Sequence, residues 1–270
     1  MPSDNATTTT PTIKTTDLAA ALQALGLWRI AEELDDFVAR ATKARWSVVQ
    51  ILAELGRLEA QERARRSCER RLSRSRVGRF KPMADFDWGW PKKIDRAAVE
   101  RTLSLGFIER AENVILVAPQ GVGKTMIAKN LAHGAVLAGQ SALFVSASEM
   151  LLDLSKQDTA RGLERRLQHY ARPHVLCVDE IGYLSYDNHA ADLLFQIVSR
   201  RYERRPIVMT TNLAFADWNT VFPNATCATA LIDRLTHHAE IIAIDGESYR
   251  KREAEQDQKA RRRGGKDGAH

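Results

Sequence analysis

The sequence predicts an α/β fold in which helices flank a parallel sheet, preceded by a small, all-helical, basic N-terminal domain. Three observations lead to this prediction. From about residue 95, short and almost wholly apolar segments alternate with helical patterns, as in a parallel sheet buried on both faces. One apolar segment leads directly into a glycine-containing turn that ends in Lys-Thr. The first 80 residues combine helical periodicity with an excess of arginine.

The N-terminal part of the chain has the spacing of amphipathic helices. Leu18, Leu22 and Leu25 recur at helical intervals, which predicts one or two short helices within residues 17–41. Ser47 is a suitable N-cap for a longer helix that continues into the arginine-rich stretch. We expect a disordered leader (1–16), a helical basic domain (17–80), a connector (81–94), an α/β domain (95–250) and a basic disordered tail (251–270).

Five strands are expected in the α/β domain, because five short apolar runs are separated by segments of helical length. The expected strands cover residues 113–118, 142–147, 174–179, 206–211 and 240–244. The expected helices cover residues 95–110, 123–138, 148–156, 160–171 and 188–204.

Residues 118–125 read Ala-Pro-Gln-Gly-Val-Gly-Lys-Thr and connect the first of these strands to a helix. Gly121 and Gly123 permit a tight turn in which several backbone N–H groups point at one anion, and the helix dipole adds to the attraction. This is the pattern of a phosphate-binding loop, and it indicates ATP or another nucleoside triphosphate. Lys124 is expected to contact the outer phosphates and Thr125 to bind Mg²⁺. The predicted nucleotide contacts in this loop are Pro119, Gln120, Gly121, Val122, Gly123, Lys124, Thr125 and Met126.

Acidic and polar residues end two later strands. Asp179 and Glu180 end the third strand, and in a parallel sheet ligands lie beyond the carboxyl ends of the strands. Asp179 is therefore a second candidate for binding Mg²⁺ and the nucleotide, and Glu180 a candidate base for the attacking water. Asn212 follows the next strand, where it either holds the attacking water or is an ordinary polar strand end.

Two arginines are candidates for contacts with the triphosphate. Arg234 follows an amphipathic segment and is predicted to reach the nucleotide of a neighbouring copy, with an intrachain salt bridge as the alternative. Arg250 is predicted to contact phosphate within its own chain, with an exposed helix end as the alternative. His237 and His238 lack a third ligand at metal spacing, so no metal other than Mg²⁺ is assigned.

Three aromatic residues in the connector leave two alternatives open. Phe86, Trp88 and Trp90 are suited either to packing beneath the α/β core or to stacking on a nucleotide base. Packing is the favoured alternative for each of them.

Positive charge is concentrated in two segments. The net charge is +6 and the isoelectric point near 9.3, yet residues 57–81 alone hold ten Lys/Arg against three acids, a local net of +7. Residues 250–266 hold eight against three. Such segments indicate a polyanionic partner, and we expect duplex DNA, with a solvated helix face as the alternative. The predicted DNA contacts are Arg57, Arg63, Arg65, Arg66, Arg70, Arg71, Arg74 and Arg76.

The three cysteines, Cys68, Cys177 and Cys227, are far apart and fit neither a disulfide framework nor a metal site. A reducing cytoplasm is the expected setting. Apolar runs of membrane-spanning length are absent from the sequence, and its start lacks a secretory pattern.

Several strings together resemble the IstB-like family, AAA+ ATPases encoded beside the transposase in bacterial insertion sequences and related to DnaC and DnaA. The resemblance covers about residues 17–252. The strings that carry it are Leu25-Gly-Leu, Asp85-Phe-Asp-Trp, Phe107-Ile-Glu-Arg-Ala-Glu-Asn, the phosphate-binding loop, Asp179-Glu-Ile-Gly-Tyr, Thr211-Asn-Leu, Ile232-Asp-Arg-Leu-Thr-His and Gly246-Glu-Ser-Tyr-Arg.

The resemblance implies a P-loop NTPase fold of the AAA+ type and a role for each matching residue. Lys124 and Thr125 correspond to Walker A, Asp179 and Glu180 to Walker B, Asn212 to sensor I, and Arg234 to an arginine finger. It further implies an ATP- and DNA-dependent homo-oligomer that remodels target DNA and recruits or stimulates a transposase.

Two alternatives and three departures accompany the resemblance. The alternatives are a DnaC-like helicase-loading adaptor that uses ATP only as a switch, and an inactive transposon remnant. The departures are Ala118 in place of the first glycine, Gln120, and a long loop at Asn219–Ala228. Alanine at 118 is a mild change if its φ is negative and a costly one if it is positive.

Overall fold

The computed structural model describes residues 15–183, 185–222, 225–249 and 251–252. The predictions for Arg250 and for most of the leader and tail lie outside these residues. By its internal contacts the chain forms two units, Met1–Glu69 and Arg70–His270. Among the described helices, none has the length and apolar character needed to cross a membrane.

The described elements are eleven α-helices, two short 3-10 helices and six strands. The helices are α1 Thr15–Ala24, α2 Trp28–Glu32, α3 Leu34–Lys43, α4 Val48–Ser75, α5 Arg96–Leu103, α6 Gly106–Glu109, α7 Lys124–Leu137, α8 Ala147–Ser155, α9 Ala160–Ala171, α10 Asn188–Arg201 and α11 Ala225–Thr236. The strands are β1 Lys93–Ile94, β2 Asn113–Val117, β3 Ala142–Ser146, β4 Val175–Ile181, β5 Ile207–Thr211 and β6 Ala239–Asp245, and the 3-10 helices are Met83–Asp85 and Phe215–Thr220.

The first unit is helical, as the sequence predicts, and has a small apolar core. Ile30, Leu34 and Phe37 are buried there, and Phe37 makes an edge contact with Trp46. The buried carboxylate of Glu59 on α4 accepts a hydrogen bond of 2.9 Å from the backbone N–H of Ile30 in α2. This hydrogen bond adds a polar contact between α2 and α4 to the small apolar core.

The second unit contains a six-stranded sheet in the order β1-β6-β2-β5-β4-β3. The pairs formed by β2 to β6 are all parallel, which confirms the predicted parallel sheet. The two-residue β1 adds an antiparallel edge to β6, and it is too short to be recognised in the connector sequence. Because β2 lies beside β5 and β5 beside β4, the segments that leave their carboxyl ends meet at one edge.

The single helix expected over residues 95–110 is two helices. α5 begins where the Asp95 side chain accepts a hydrogen bond from the N–H of Ala98, and it ends before Leu105. Leu105 has a left-handed backbone, with φ of 66°, and this conformation separates α5 from α6. The central strands are buried between helices, and Ile115, Leu176 and Met209 are fully inaccessible.

Candidate nucleotide-binding site

The loop between β2 and α7 has a backbone that its glycines make possible. Gly121 and Gly123 have φ angles of 78° and 106°, in the region that side chains disfavour. A Cβ atom at Gly123 would lie 2.6 Å from the ring of Phe86, and one at Gly121 would lie 2.2 Å from Ser248 Oγ. Both positions therefore require glycine for two reasons, backbone conformation and close packing. Helix α7 begins at the next residue, so its N-terminus faces the loop.

Lys124 lies within the concave side of this loop. Its ammonium group donates hydrogen bonds of 2.6 Å to the carbonyl of Ala118 and 2.7 Å to that of Pro119. The side chain is 8% exposed, so its charge is partly shielded from water. Ala118 is not one of the described non-glycine residues that have a positive φ. Its N–H donates a hydrogen bond of 3.1 Å to the carbonyl of Thr211. Alanine at this position therefore introduces no backbone strain.

The predicted acids lie beside the start of α7. The Thr125 hydroxyl is 3.1 Å from each carboxylate oxygen of Asp179, which is 7% exposed. The buried Thr210 hydroxyl donates to the same carboxylate at 2.6 Å. Glu180 has φ of 61°, and its side chain is exposed. The structure thus brings together the two residues predicted to bind Mg²⁺.

A cavity of about 490 Å³ lies over the loop. Its floor consists of Gln120–Met126, and Glu180 and Asn212 line one side. This volume is in the range of small-molecule and cofactor sites. The structure therefore gathers most of the predicted nucleotide contacts, together with Glu180 and Asn212, around one space. Pro119 contributes through its carbonyl rather than by lining the cavity.

The opposite wall comes from the connector and from the segment after β6. Trp90 Nε1 donates to the carbonyl of Glu247 at 2.8 Å, and the Tyr249 N–H donates to the carbonyl of Gly121 at 2.9 Å. The rings of Trp90 and Tyr249 meet edge to face, 6.0 Å between centroids. Arg252 lies 4.4 Å from the centre of the Trp90 ring.

The three connector aromatics differ in whether they line the cavity. Phe86 is buried against Gly123 and also lines the cavity, and Trp90 lines it as well. Trp88 lies outside the cavity lining and stacks with Arg96, whose guanidinium is 4.9 Å from the ring centre. The site prediction omitted Tyr249 and Tyr183, although the string Gly246-Glu-Ser-Tyr was a usable signal for the former.

Comparison with known proteins shows which family this chain matches. The model of the IstB-like ATP binding proteins matches residues 20–257. This chain belongs to the IstB-like family. A protein of Pseudomonas aeruginosa named for ATP binding in insertion sequence IS21 is 37% identical over 237 residues, 88% of this chain and 89% of that protein. A similarly named protein of insertion sequence IS5376 from Geobacillus stearothermophilus is 34% identical over 224 residues, 83% of this chain and 89% of the relative.

A solved structure supports the fold of this IstB-like protein. The crystal structure of DnaI has a TM-score of 0.52 at 20% identity, and the match covers 64% of this chain and 91% of DnaI. At this identity the likeness concerns the fold alone. Together with the sheet order, it confirms the predicted α/β fold, in which helices flank a mostly parallel sheet.

Arg234 lies apart from the cavity of its own chain. It is half-exposed near the end of α11, and its guanidinium is 4.2 Å from the centre of the Phe195 ring. Arg234 is absent from the residues that line the cavity. Its predicted contact with a neighbouring copy therefore stays a prediction, and so does the contact of Arg250, which lies outside the described residues.

The two histidines after α11 have a neighbour that the sequence spacing conceals. Glu203 Oε1 lies 3.5 Å from His237 Nδ1 and 3.7 Å from His238 Nε2. All three side chains are exposed, and the Tyr202 hydroxyl already contacts His237 Nδ1 at 2.8 Å. An ion would have to displace this hydrogen bond and compete with water, so we assign no metal here.

Half of the arginines predicted to contact DNA are engaged with other side chains or backbone. Arg57 pairs with Glu54, and Arg65 and Arg66 both pair with Glu62. Hydrogen bonds from these two arginines lower the pKa of Glu62 to about 2, and the bond from Arg65 has the larger effect. Arg71 donates to the carbonyl of Val136. In the described part of the chain, Arg63, Arg70, Arg74 and Arg76 are exposed and take part in no ion pair, which leaves their charges available to a partner.

Proposed function

We propose that this IstB-like protein binds and hydrolyses ATP with Mg²⁺, and that several copies assemble on duplex DNA and recruit or stimulate a partner transposase. One observation carries the proposal: the phosphate-binding loop, Glu180 and Asn212 line one cavity of about 490 Å³, and Asp179 lies directly behind it, 3.1 Å from the hydroxyl of the lining residue Thr125. This combination of a glycine loop, a lysine, a hydroxyl and two acids is that of phosphoryl transfer to water.

Mg²⁺ fits the donor set of the site. Thr125 and Asp179 offer a hydroxyl and a carboxylate within 3.1 Å of each other, and Mg²⁺ prefers oxygen ligands and keeps several waters. These two residues would hold the ion. When bound, Mg²⁺ would neutralise charge on the phosphate oxygens and so lower the barrier to attack of water on the terminal phosphorus, with ADP as the leaving group.

Each of the other site residues has a task that its position permits. Lys124 presents a fixed positive charge to the outer phosphates, because its ammonium group is held by two loop carbonyls. Glu180 has an exposed carboxylate at the cavity wall and is suited to orient and deprotonate a water molecule. Asn212 lines the same wall and offers an amide to that water or to the terminal phosphate.

The DNA and transposase parts of the proposal have separate support. Two relatives of this chain carry the names of insertion sequences, and moving such an element requires DNA and a transposase. The arginines near the end of α4 supply a positive surface that binds phosphates without reading bases. A DnaC-like adaptor that uses ATP only as a switch is the second candidate, and the exposed Glu180 favours turnover over switching.

The test is to measure ATP binding and phosphate release for the wild type and three variants, with and without duplex DNA. Lys124→Ala should weaken ATP binding about 10- to 100-fold, because it removes a charge-assisted contact. Glu180→Gln should bind ATP like wild type but release phosphate about 10²- to 10⁴-fold more slowly. Glu100→Gln, an exposed carboxylate on α5, is the control and should change neither quantity.

Two outcomes would redirect the proposal. Turnover by Glu180→Gln at nearly the wild-type rate would remove Glu180 from its role. Tight ATP binding by the wild type without phosphate release, even on DNA, would favour the adaptor.

A further inference from the structure

The two acids at the end of β4 lie in an irregular piece of strand. The pairing of β4 with β5 shifts register between Val178 and Ile181, and Glu180 has φ of 61°. In a regular strand neighbouring side chains point to opposite faces. Here Asp179 is buried beside Thr125, while Glu180 turns out to the cavity wall. The irregularity therefore allows two successive side chains to serve one site, Asp179 beside Thr125 and Glu180 in the cavity lining.

A single hydroxyl connects these two acids. Thr210 Oγ1 on β5 accepts a hydrogen bond of 2.9 Å from the N–H of Glu180 and donates one of 2.6 Å to Asp179 Oδ1. Thr210 is 1% exposed, so water cannot substitute for either bond. A hydroxyl has one donor and can accept at the same time, and Thr210 uses both capacities on adjacent residues.

We propose that Thr210 is a positioning residue, which holds Asp179 and Glu180 in their working orientations through its hydroxyl. This inference rests on the proposed ATP hydrolysis. Thr210 differs in role from Asn212, which lines the cavity itself, because within the described residues the hydrogen bonds of the Thr210 hydroxyl go to the two acids.

The energetics support a positioning role. A positive φ at a non-glycine residue persists only where its surroundings hold it, and the bond to the Glu180 N–H is such a tie. Removing the hydroxyl would leave this partly buried N–H without its acceptor and, among the described residues, would leave Asp179 Oδ1 with the Thr125 hydroxyl alone. The backbone at Glu180 would then relax, and the Glu180 carboxylate would no longer be oriented toward the attacking water.

The experiment uses full-length protein and compares Thr210→Val with Thr210→Ser. Valine keeps the shape of threonine without its hydroxyl, and serine keeps the hydroxyl. Thr210→Val should lower kcat about 10- to 100-fold, with KM for ATP within about threefold of wild type. It should also raise the Mg²⁺ concentration needed for half-maximal ATP binding about 10-fold, since Asp179 loses a supporting hydrogen bond. Thr210→Ser should restore both quantities.

Thr211→Val is a matched control from the same strand. Thr211 is equally buried, but its hydroxyl accepts from the N–H of Leu213 at 3.1 Å instead of contacting the acids. Thr211→Val should change the melting temperature, but it should leave both kcat and the Mg²⁺ dependence of ATP binding as in the wild type. If Thr210→Val does not fold, Thr210→Ala and Thr210→Ser provide the same comparison at smaller volume.

The outcomes separate this inference from the proposed function. Wild-type kcat and Mg²⁺ dependence in Thr210→Val would overturn the role of Thr210, and so would equal losses in Thr210→Val and Thr211→Val. Absence of hydrolysis by the wild type would instead refute the proposed function. In that case the Mg²⁺ dependence of ATP binding still decides whether Thr210 positions Asp179.

Discussion

Arg201 illustrates a role that its sequence context conceals. Arg200-Arg201 ends α10, where basic residues commonly face water and favour the helix dipole. Arg201 is instead 1% exposed, and burial lowers its pKa to about 9, so it stays protonated at neutral pH. Its guanidinium donates to five backbone carbonyls, those of Tyr170, Ala171, Pro173, His174 and Pro206.

Replacing Arg201 should destabilise the α/β domain strongly. Arg201→Met should lower the free energy of unfolding by about 3 to 5 kcal/mol, because several buried carbonyls lose a charged donor. Arg200→Met, which removes a partly exposed salt bridge to Glu164, should cost less than about 1 kcal/mol. Urea unfolding followed by circular dichroism at pH 7 measures both. Equal losses in the two variants would mean that the carbonyl contacts of Arg201 contribute little.

The sequence predicted which residues form the site better than it predicted the backbone conformation of those residues. Lys124, Thr125 and Asp179 meet as their motifs imply, because the motifs encode side-chain chemistry at fixed distances along the chain. The left-handed conformation at Glu180 could not be predicted, since it depends on Thr210 from another strand and the two are thirty residues apart.

Helix α4 carries its charges in two different states. Arg57, Arg65 and Arg66 pair with acids of the same helix, three or four residues away. Arg63, Arg70 and Arg74 are exposed and, within the described residues, unpaired with any acid. At about 100° per residue, intervals of seven and four residues place these last three on one face of the helix. This face is the best candidate for phosphate contacts.

Two triple variants test this distinction. Replacing Arg63, Arg70 and Arg74 by Gln should weaken binding to duplex DNA of any sequence. It should also reduce the salt slope, the change in log K with log salt concentration, by about 2.7, because each lost phosphate contact removes about 0.9. Replacing Arg57, Arg65 and Arg66 by Gln removes the same formal charge and should change the slope by less than about 1. Fluorescence anisotropy at several salt concentrations measures both slopes, and a larger effect of the second variant would contradict the assignment.

The strand β1 and the two-part helix α5–α6 were not predicted, and each has a physical reason. Two residues, Lys93–Ile94, are too short to show a strand period, and their pairing with β6 depends on a segment about 150 residues away. The break at Leu105 arises from a left-handed leucine, a conformation that residue type does not signal. The parallel strands were predicted because each is a short, almost wholly apolar run between segments of helical length.

The cavity draws on parts of the α/β unit that are distant in the chain. The phosphate-binding loop and the two strand ends form one side, and Trp90 and Tyr249 form the other. Tyr249 contacts the loop through its backbone, since its N–H donates to the carbonyl of Gly121. The sequence identified the first side from motifs. For the second side it offered weaker signals, base stacking as an alternative for Trp90 and the string that contains Tyr249, because aromatic residues at such separations have no common spacing.

Arg234 is the residue that the proposed function assigns to the contact between copies. Its guanidinium lies over Phe195, outside the cavity lining, so one chain does not supply it to its own nucleotide. In the proposed assembly, Arg234 of one copy stabilises the transition-state charge at the cavity of the next, an effect of about 10³- to 10⁵-fold for such residues. Arg234→Ala should therefore lower hydrolysis while leaving the ATP affinity of a single copy nearly unchanged.

Mixing two inactive variants on duplex DNA tests ATP hydrolysis at a site shared between copies. Arg234→Ala retains the ATP cavity, and Lys124→Ala retains the arginine. We predict that each variant alone releases little phosphate, that their mixture regains part of the wild-type rate, and that this rate rises with protein concentration as ATP- and DNA-dependent species form in sedimentation. An inactive mixture, together with a wild type that stays monomeric and hydrolyses ATP at a concentration-independent rate per chain, would contradict it.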